Sequence, residues 1–426
     1  MRLAPGEPLR VTLAHAPNDE VVVGRLALDA GRAVFEYDEA FIASGMRLNP
    51  LWNAPSRALV RAQEPRAFKG LHGVFADSLP DAWGHALMRR RLAEQSVNYD
   101  DLTTLDRLAL VGSTGVGALV YRPDYAEHPH GAIDLAAFAA GAIGLEGTPT
   151  EVVEELASLG GSSGGARPKV FVARNAAGDL VAGAGTVAAG YDPYIVKFRG
   201  SMDVADIGPL EAAYADMARA AGVEVAPTLL IPATKGHGYF ATRRFDRGPN
   251  GTRISMLSVA AMIESQWDVP AIGYMKLIAL VHGITRDHEA AEQMFRRMVF
   301  NVLAANADDH LKQHSFLQQR TGEWVLAPAY DLTLSSGPNG QRYLDVNGRG
   351  SEVTLDDIDA VARESSIRSS RAIVDEVRTA VDDFPKHARA RGVTAATLAA
   401  FKRATETAGN TLMPKPPHAR SSRRRT

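Results

Sequence analysis

The 426-residue chain contains no cysteine. Disulfides, thiolate-bound metals, iron–sulfur clusters and a cysteine nucleophile are therefore excluded, and a reducing compartment suits the chain. No uncharged apolar run approaches the ~18 residues that a membrane-spanning helix needs. The opening Met-Arg-Leu-Ala-Pro-Gly-Glu-Pro holds an acid and two prolines where a secretory signal carries an apolar core. These absences predict a soluble, cytoplasmic protein with no membrane partner. Excess charge is missing too. With 47 basic and 49 acidic residues the net charge is −2, so no whole-molecule field draws in nucleic acid. What is present is ordinary globular material: 46% hydrophobic and 23% charged residues supply a core. The length exceeds a single domain of about 100–150 residues, so two or three units are expected. No internal repeat is visible.

The first 60 residues read as β structure, with Leu9 to Leu13 alternating and Glu20 to Leu28 and Ala33 to Tyr37 flanking a turn at Asp29-Ala30-Gly31. Asp77-Ser78-Leu79-Pro80-Asp81-Ala82-Trp83-Gly84 is a helix start, and Arg89, Arg90 and Arg91 suit its solvated end. Helices are expected near Thr103–Leu110 and from Thr150 to Leu159, and Gly115–Tyr121 reads as turn then strand. Beyond Gly160 come short strands at Lys169–Ala173, Leu180–Val187 and Tyr194–Phe198, a helix at Leu210–Ala221, and strands near Pro227–Ile231 and Gly238–Arg243. After Ser255 the pattern is helical, interrupted by short strands at Ser315–Leu317 and Trp324–Leu326. From Pro414 the chain holds five basic residues, three prolines and no acid, which predicts a disordered tail. A β-rich lobe followed by a helical lobe predicts an α+β protein with a ligand cleft between them.

Three segments carry candidate chemistry. Gly160-Gly161-Ser162-Ser163-Gly164-Gly165-Ala166-Arg167-Pro168-Lys169 can bring backbone N–H groups close to phosphate oxygens. It lies between helix and strand, the reverse of a Walker loop, and taken alone it reads better as a plain flexible connector. Lys197, in Tyr194-Ile195-Val196-Lys197-Phe198, points to solvent by simple alternation; turned inward, it needs an anion, for which Glu211 or a nucleotide phosphate would serve. Finally, Asn306-Ala307-Asp308-Asp309-His310-Leu311-Lys312-Gln313-His314 follows an apolar helix, and Asp331 follows a strand 23 residues after Asp308. As a surface loop this polar run is unremarkable, whereas Asp331 with a nearby acid or amide suits Mg²⁺. In order, the chain offers a glycine loop, a strand lysine, a helix acid, a loop Asp, a carboxamide five residues later, and a second Asp. That is the order of parts in a protein kinase.

These residues resemble the HipA family, the serine/threonine-kinase toxins of bacterial type II toxin–antitoxin modules. The resemblance runs from the N-terminal β unit to about residue 407. It rests on Asp77–Gly84, Ser163–Lys169, Ile195–Phe198, Arg244-Phe245-Asp246-Arg247, Asp308–Lys312 and Tyr330-Asp331-Leu332-Thr333. It implies a two-lobed, protein-kinase-like α+β fold with an N-terminal β-rich subdomain (1–125), an N-lobe-like region (126–250), an all-helical C-terminal lobe (251–410) and a basic tail (411–426). By the same resemblance Asp308 is the catalytic base, with His310 and Lys312 beside it. Asp331 and Gln313 hold Mg²⁺, although the family has asparagine at the position of Gln313. Gly164, Gly165, Ala166, Arg167, Pro168 and Lys169 form the phosphate loop, and Lys197 holds the ATP phosphates with Glu211 as its partner. Arg243, Arg244 and Phe245 form the adenine hinge, with Tyr330 also on the nucleotide side. Ser162 is the implied autophosphorylation site, with Ser163 adjacent. The implied partners are a HipB-like helix-turn-helix antitoxin, operator DNA through that antitoxin, and a protein substrate of the aminoacyl-tRNA synthetase class.

Two other readings use the same residues. A HipA-like co-repressor without catalysis would act with the antitoxin on DNA, where Lys415, Arg420 and Arg423 to Arg425 could meet phosphates. A metal-dependent phosphohydrolase on Asp308, Asp309, His310 and Asp331 would leave Lys197 and the glycine loop unused.

Overall fold

The computed structural model describes residues 2–412 apart from 5, 64–67, 130, 144–147, 162–164, 186, 188 and 270. Ser162, Ser163, Gly164 and the basic tail from Pro414 therefore lie outside the described residues.

Three antiparallel sheets organise the chain. In the first, β1 (Leu9–Ala16), β2 (Asp19–Asp29), β3 (Arg32–Tyr37), β4 (Val60–Arg61) and β5 (Leu119–Arg122) lie in the order β4-β3-β2-β1-β5. The β2–β3 hairpin turns through Ala30 and Gly31, both at positive φ, as a two-residue turn matched to strand twist requires. Alternation then points Ala33, Phe35 and Tyr37 into the core.

The second sheet orders β6 (Lys169–Asn175), β7 (Leu180–Ala182), β8 (Tyr191–Lys197), β9 (Thr228–Ile231) and β10 (Tyr239–Arg243) as β7-β6-β8-β10-β9. The helix Ile207–Ala220 packs beside β9 and β10. The strand expected over Leu180–Val187 is shorter, since pairing with β6 stops at Ala182.

The C-terminal lobe holds the helices Tyr274–Thr285, His288–Leu303, Leu355–Glu364, Ser370–Asp382, Phe384–Arg391 and Ala395–Leu412. Asp287 caps the second of these by accepting from the Glu289 N–H, and Thr354 with Asp357 forms a capping box on the third. Within this lobe lies a third sheet, β11 (Ser255–Ser258), β12 (Ser315–Gln318) and β13 (Trp324–Leu326), in that order. The expectation of an all-helical lobe is corrected by this sheet. The two short strands were legible, and β11, which Ser258 ends by capping a helical turn, was not.

The hydrophobic core does not follow the sequence boundaries. One apolar cluster joins Leu26, Phe35 and Phe75 of the N-terminal unit to Leu257, Phe295, Phe300, Phe384 and Phe401 of the helical lobe. A second joins Trp83, Leu87 and Leu110 to Leu156, Phe171 and Val196, drawing on both sides of residue 125. A buried ionic staple adds to this. Asp246 pairs with Arg244 and Arg247 and accepts the Gly117 N–H at 2.8 Å, while Arg247 donates to Gly115 and Gly117 carbonyls at 2.7 and 2.9 Å.

Candidate active site

The cleft between the second sheet and the helical lobe is built around two lysines. Lys169 and Lys197 are directly opposed in the β6–β8 register, so both side chains leave the same face. Like charges in that position repel, and these are desolvated as well: Lys169 is 6% exposed and the Lys197 side chain 10%. Anions must hold them. Lys197 forms an ion pair with Asp331 and another with Glu211, at 3.2 Å, from the helix Ile207–Ala220. Burial pulls the Lys197 ammonium down, but Asp331 and Glu211 outweigh it and leave its pKa above the usual lysine value. Burial dominates at Lys169, lowering its pKa to about 8. For Asp331 burial is the largest influence, yet Lys197 and Lys169 together overcome it and hold the carboxyl well below its ordinary range. Arg167 completes the cluster, donating to Glu211 and, at 3.1 Å, to Asp203.

Asp331 sits at φ +57°, a left-handed conformation uncommon for an aspartate. Its second oxygen accepts the Gln313 amide at 3.0 Å. Gln313 belongs to a short 3₁₀ turn, Leu311–Gln313, that closes the loop after His288–Leu303. Asp308 heads this loop half-exposed, its N–H bonded to Ser335 Oγ at 3.0 Å, with His310 Nε2 3.9 Å from its carboxylate. Partial burial raises the Asp308 pKa; His310 opposes this and Asp331 adds to it. His310 is lowered, chiefly by burial. Around the His310 ring stand Trp267 at 4.6 Å and Tyr343 at 5.5 Å.

Asp309 faces the opposite way. It is 1% exposed and accepts from Tyr274 Oη at 2.8 Å, Arg342 and the Tyr343 N–H. Its bonds anchor the loop from beneath, so the cleft receives Asp308 and not Asp309. A phosphohydrolase that needs both as ligands finds no support here.

The glycine loop approaches from above. Gly165 has φ +90°, a conformation L side chains rarely adopt, so this turn favours glycine, and a Cβ there would also push Lys169 Nζ aside. Its N–H donates to Asp81 Oδ2 at 2.6 Å, and Asp81 Oδ1 accepts Lys312 Nζ at 2.6 Å.

The structure thus gathers Gly165, Arg167, Lys169, Lys197, Glu211, Asp308, His310, Lys312, Gln313 and Asp331. It also sets Ala166 exposed at the loop tip, with Pro168 buried behind it. The expected hinge side chains point elsewhere. Arg243 pairs with Asp192 at 2.6 Å, and Arg244 is buried against Asp246 and the Phe171 ring. Phe245 packs near Tyr330, whose hydroxyl donates to the Lys312 carbonyl at 2.6 Å and so braces the 308–313 loop. Sequence reasoning assigned no site role to Asp81, Trp267 or Tyr343. Asp81 was read only as part of a helix-start motif that also carries the family resemblance, and nothing local marks the two aromatic residues.

Fold and site together define a two-lobed, kinase-like α+β protein carrying an additional N-terminal β unit. Residues 16–122 match the HipA N-terminal domain and residues 161–384 the HipA-like C-terminal domain. The chain belongs to the HipA family. The HipA chain of a Shewanella oneidensis complex of HipA, HipB and operator DNA superposes with a TM-score of 0.67 at 16% identity, covering 95% of this chain and 96% of its own. A Sinorhizobium fredii protein described as putative kinase Y4dM is 28% identical over 159 residues, 35% of this chain and 37% of that protein. The chain thus spans little more than a third of the length of this curated relative. No helix among the described residues is long and apolar enough to cross a membrane.

Proposed function

We propose that the chain is a HipA-type toxin kinase, transferring the γ-phosphoryl group of ATP to a serine or threonine of a protein. One observation carries this reading: two buried lysines on one sheet face, one locked to Glu211 and Asp331. Such a cluster is costly in a protein interior unless it serves an anion, and a triphosphate suits its geometry. Asp331 would offer a carboxylate to Mg²⁺, and Gln313, whose amide N–H donates to Asp331 at 3.0 Å, would turn its amide oxygen toward the ion, which completes its shell with phosphates and water. Bound there, the ion would neutralise phosphate charge. Gln313 is one methylene longer than the family's asparagine and would reach it with a small loop adjustment.

In this scheme Lys197, Lys169 and Lys312 hold the phosphate oxygens. The acceptor hydroxyl attacks phosphorus, the bond to the bridging oxygen of ADP breaks, and Asp308 orients the hydroxyl and takes its proton. Ser162 would be an autophosphorylation site; a phosphate there would repel the nucleotide and switch the enzyme off. The family likeness supports a HipB-like antitoxin as partner, operator DNA through it, and an aminoacyl-tRNA synthetase as protein substrate.

The experiment is phosphoryl transfer from labelled ATP with Mg²⁺, using wild type, Asp308→Ala and Asp331→Ala, followed by site mapping. Label on wild type, with a loss of about 10²-fold or more in both variants, supports the kinase. No label, even after phosphatase treatment of the protein, overturns it in favour of a non-catalytic co-repressor.

A further inference from the structure

Asp81 occupies the N-cap of the helix Ala82–Glu94, yet its side chain makes no capping bond. An aspartate at that position ordinarily accepts an N–H from the first turn of its own helix. Here both carboxylate oxygens are engaged elsewhere, one by the Gly165 N–H and one by Lys312 Nζ, each at 2.6 Å. Gly165 belongs to the phosphate-side loop, and Lys312 lies four residues after Asp308. The two loops that must meet across the cleft are therefore joined by one carboxylate from the N-terminal unit.

The surrounding segment is fastened on both sides. Asp77 accepts from the Ser258 N–H and Oγ at 2.7 and 2.8 Å, pinning the segment to β11. Trp83 Nε1 donates to the Lys169 carbonyl at 3.3 Å, and a Cβ on Gly84 would lie 2.6 Å from the Gly161 carbonyl oxygen. Residues 77–84 thus contact the chain at Gly161, Gly165 and Lys169, on either side of residues 162–164.

We propose that Asp81 is a positioning residue for phosphoryl transfer, setting the separation between the phosphate-side loop and the catalytic loop through Gly165 and Lys312. This inference rests on the kinase reading above. It makes the N-terminal unit part of the catalytic geometry. The opposing possibility is that the carboxylate merely occupies donors a phosphate would use, and the two make different predictions. Replacing Asp81 by Asn keeps size and removes charge. If Asp81 positions the loops, kcat falls about 10- to 100-fold with a smaller change in KM for ATP. If it competes with phosphate, KM falls and kcat holds or rises, which overturns the proposal.

Hydrogen exchange supplies a readout independent of turnover. In Asp81→Asn the amides of Gly165, Ala166, Arg167 and Lys169 should exchange faster while the helical lobe is unchanged. Asp77→Asn is the structural control: it should lower Tm and leave exchange at Gly165 as in wild type. Unchanged exchange at Gly165 in Asp81→Asn refutes the tether. If wild type transfers no phosphate, the kinase reading and the catalytic half of this inference both fall, and the exchange comparison still decides whether the tether exists.

Discussion

Asp308 and Glu264 carry opposite consequences of the same physics, a carboxyl whose pKa is raised by burial. If Asp308 is the proposed base, the consequence is catalytic: a base must be deprotonated, and a raised pKa means protonation sets in earlier as pH falls, so the acid limb of kcat/KM should lie above the ordinary carboxylate range of about 4. A pH–rate profile with its acid limb at or below that range would contradict this role. For Glu264 the consequence is stability. Burial pushes it up to about 7 although it accepts the Gly73 N–H at 3.0 Å, so the folded state holds its proton more tightly than the unfolded chain. The stabilisation is complete below the unfolded value of about 4.3 and is lost as pH rises through about 7. Glu264→Gln, which carries no titratable proton, should therefore gain Tm relative to wild type between about pH 5 and about pH 8. A Tm difference independent of pH would refute the assignment. Lys197 shows the limit of sequence reading at this scale. Strand alternation allowed it to face solvent, and only the register against Lys169 turns it inward. The order of acids, amide and lysine in 308–331 was legible because it is local; the Asp81 contact, 84 residues from Gly165 and 231 from Lys312, was not.

Single elements show the same division between local and distant causes. The β2–β3 hairpin was readable from Asp29-Ala30-Gly31 because its turn chemistry lies within four residues. Strand β11 was not, since its pairing partner β12 begins 57 residues after Ser258 and its own four residues carry no alternation. Arg243, Arg244 and Phe245 were expected to form the adenine hinge; directly after them, the Asp246 and Arg247 side chains tie the end of β10 to residues 115–117. Burial disfavours the Asp246 charge, but Arg244 and Arg247 overcome it and keep the carboxyl well below its usual range. Removing one member of such a buried set strands the others. Asp246→Ala should accordingly cost about 3–5 kcal/mol in urea unfolding, whereas an exposed pair such as Arg57–Glu39 should contribute less than about 1 kcal/mol. Equal effects at the two sites would show that the staple does not bear on stability.

At the scale of the whole molecule, sequence reading recovered the order of lobes and missed how completely they share a core. Composition marks a β-rich beginning and a helical end, but it does not show that Phe35 and Phe384 belong to one apolar cluster. A fragment comprising 126–426 would leave Leu257, Phe295 and Phe300 without the apolar partners contributed by Leu26, Phe35 and Phe75. It should show no cooperative thermal transition and should bind hydrophobic dyes. A sharp transition near that of the full chain would prove the lobes separable.

The helix Ala395–Leu412 closes the arrangement. Phe401 packs on Phe384 at 3.9 Å and meets Tyr214 at 5.8 Å; Tyr214 shares a helix with Glu211 and donates to the Ala304 carbonyl at 2.7 Å, just before the loop of Asp308. On the ribosome, Phe401 is among the last of these core residues to emerge. A nascent chain therefore holds Lys169, Lys197, Asp308 and Asp331 well before it holds the aromatic ring that packs on Tyr214, in the helix that carries Glu211. Interrupted synthesis would release a product with every candidate site residue present and the helix of Glu211 without its last aromatic neighbour.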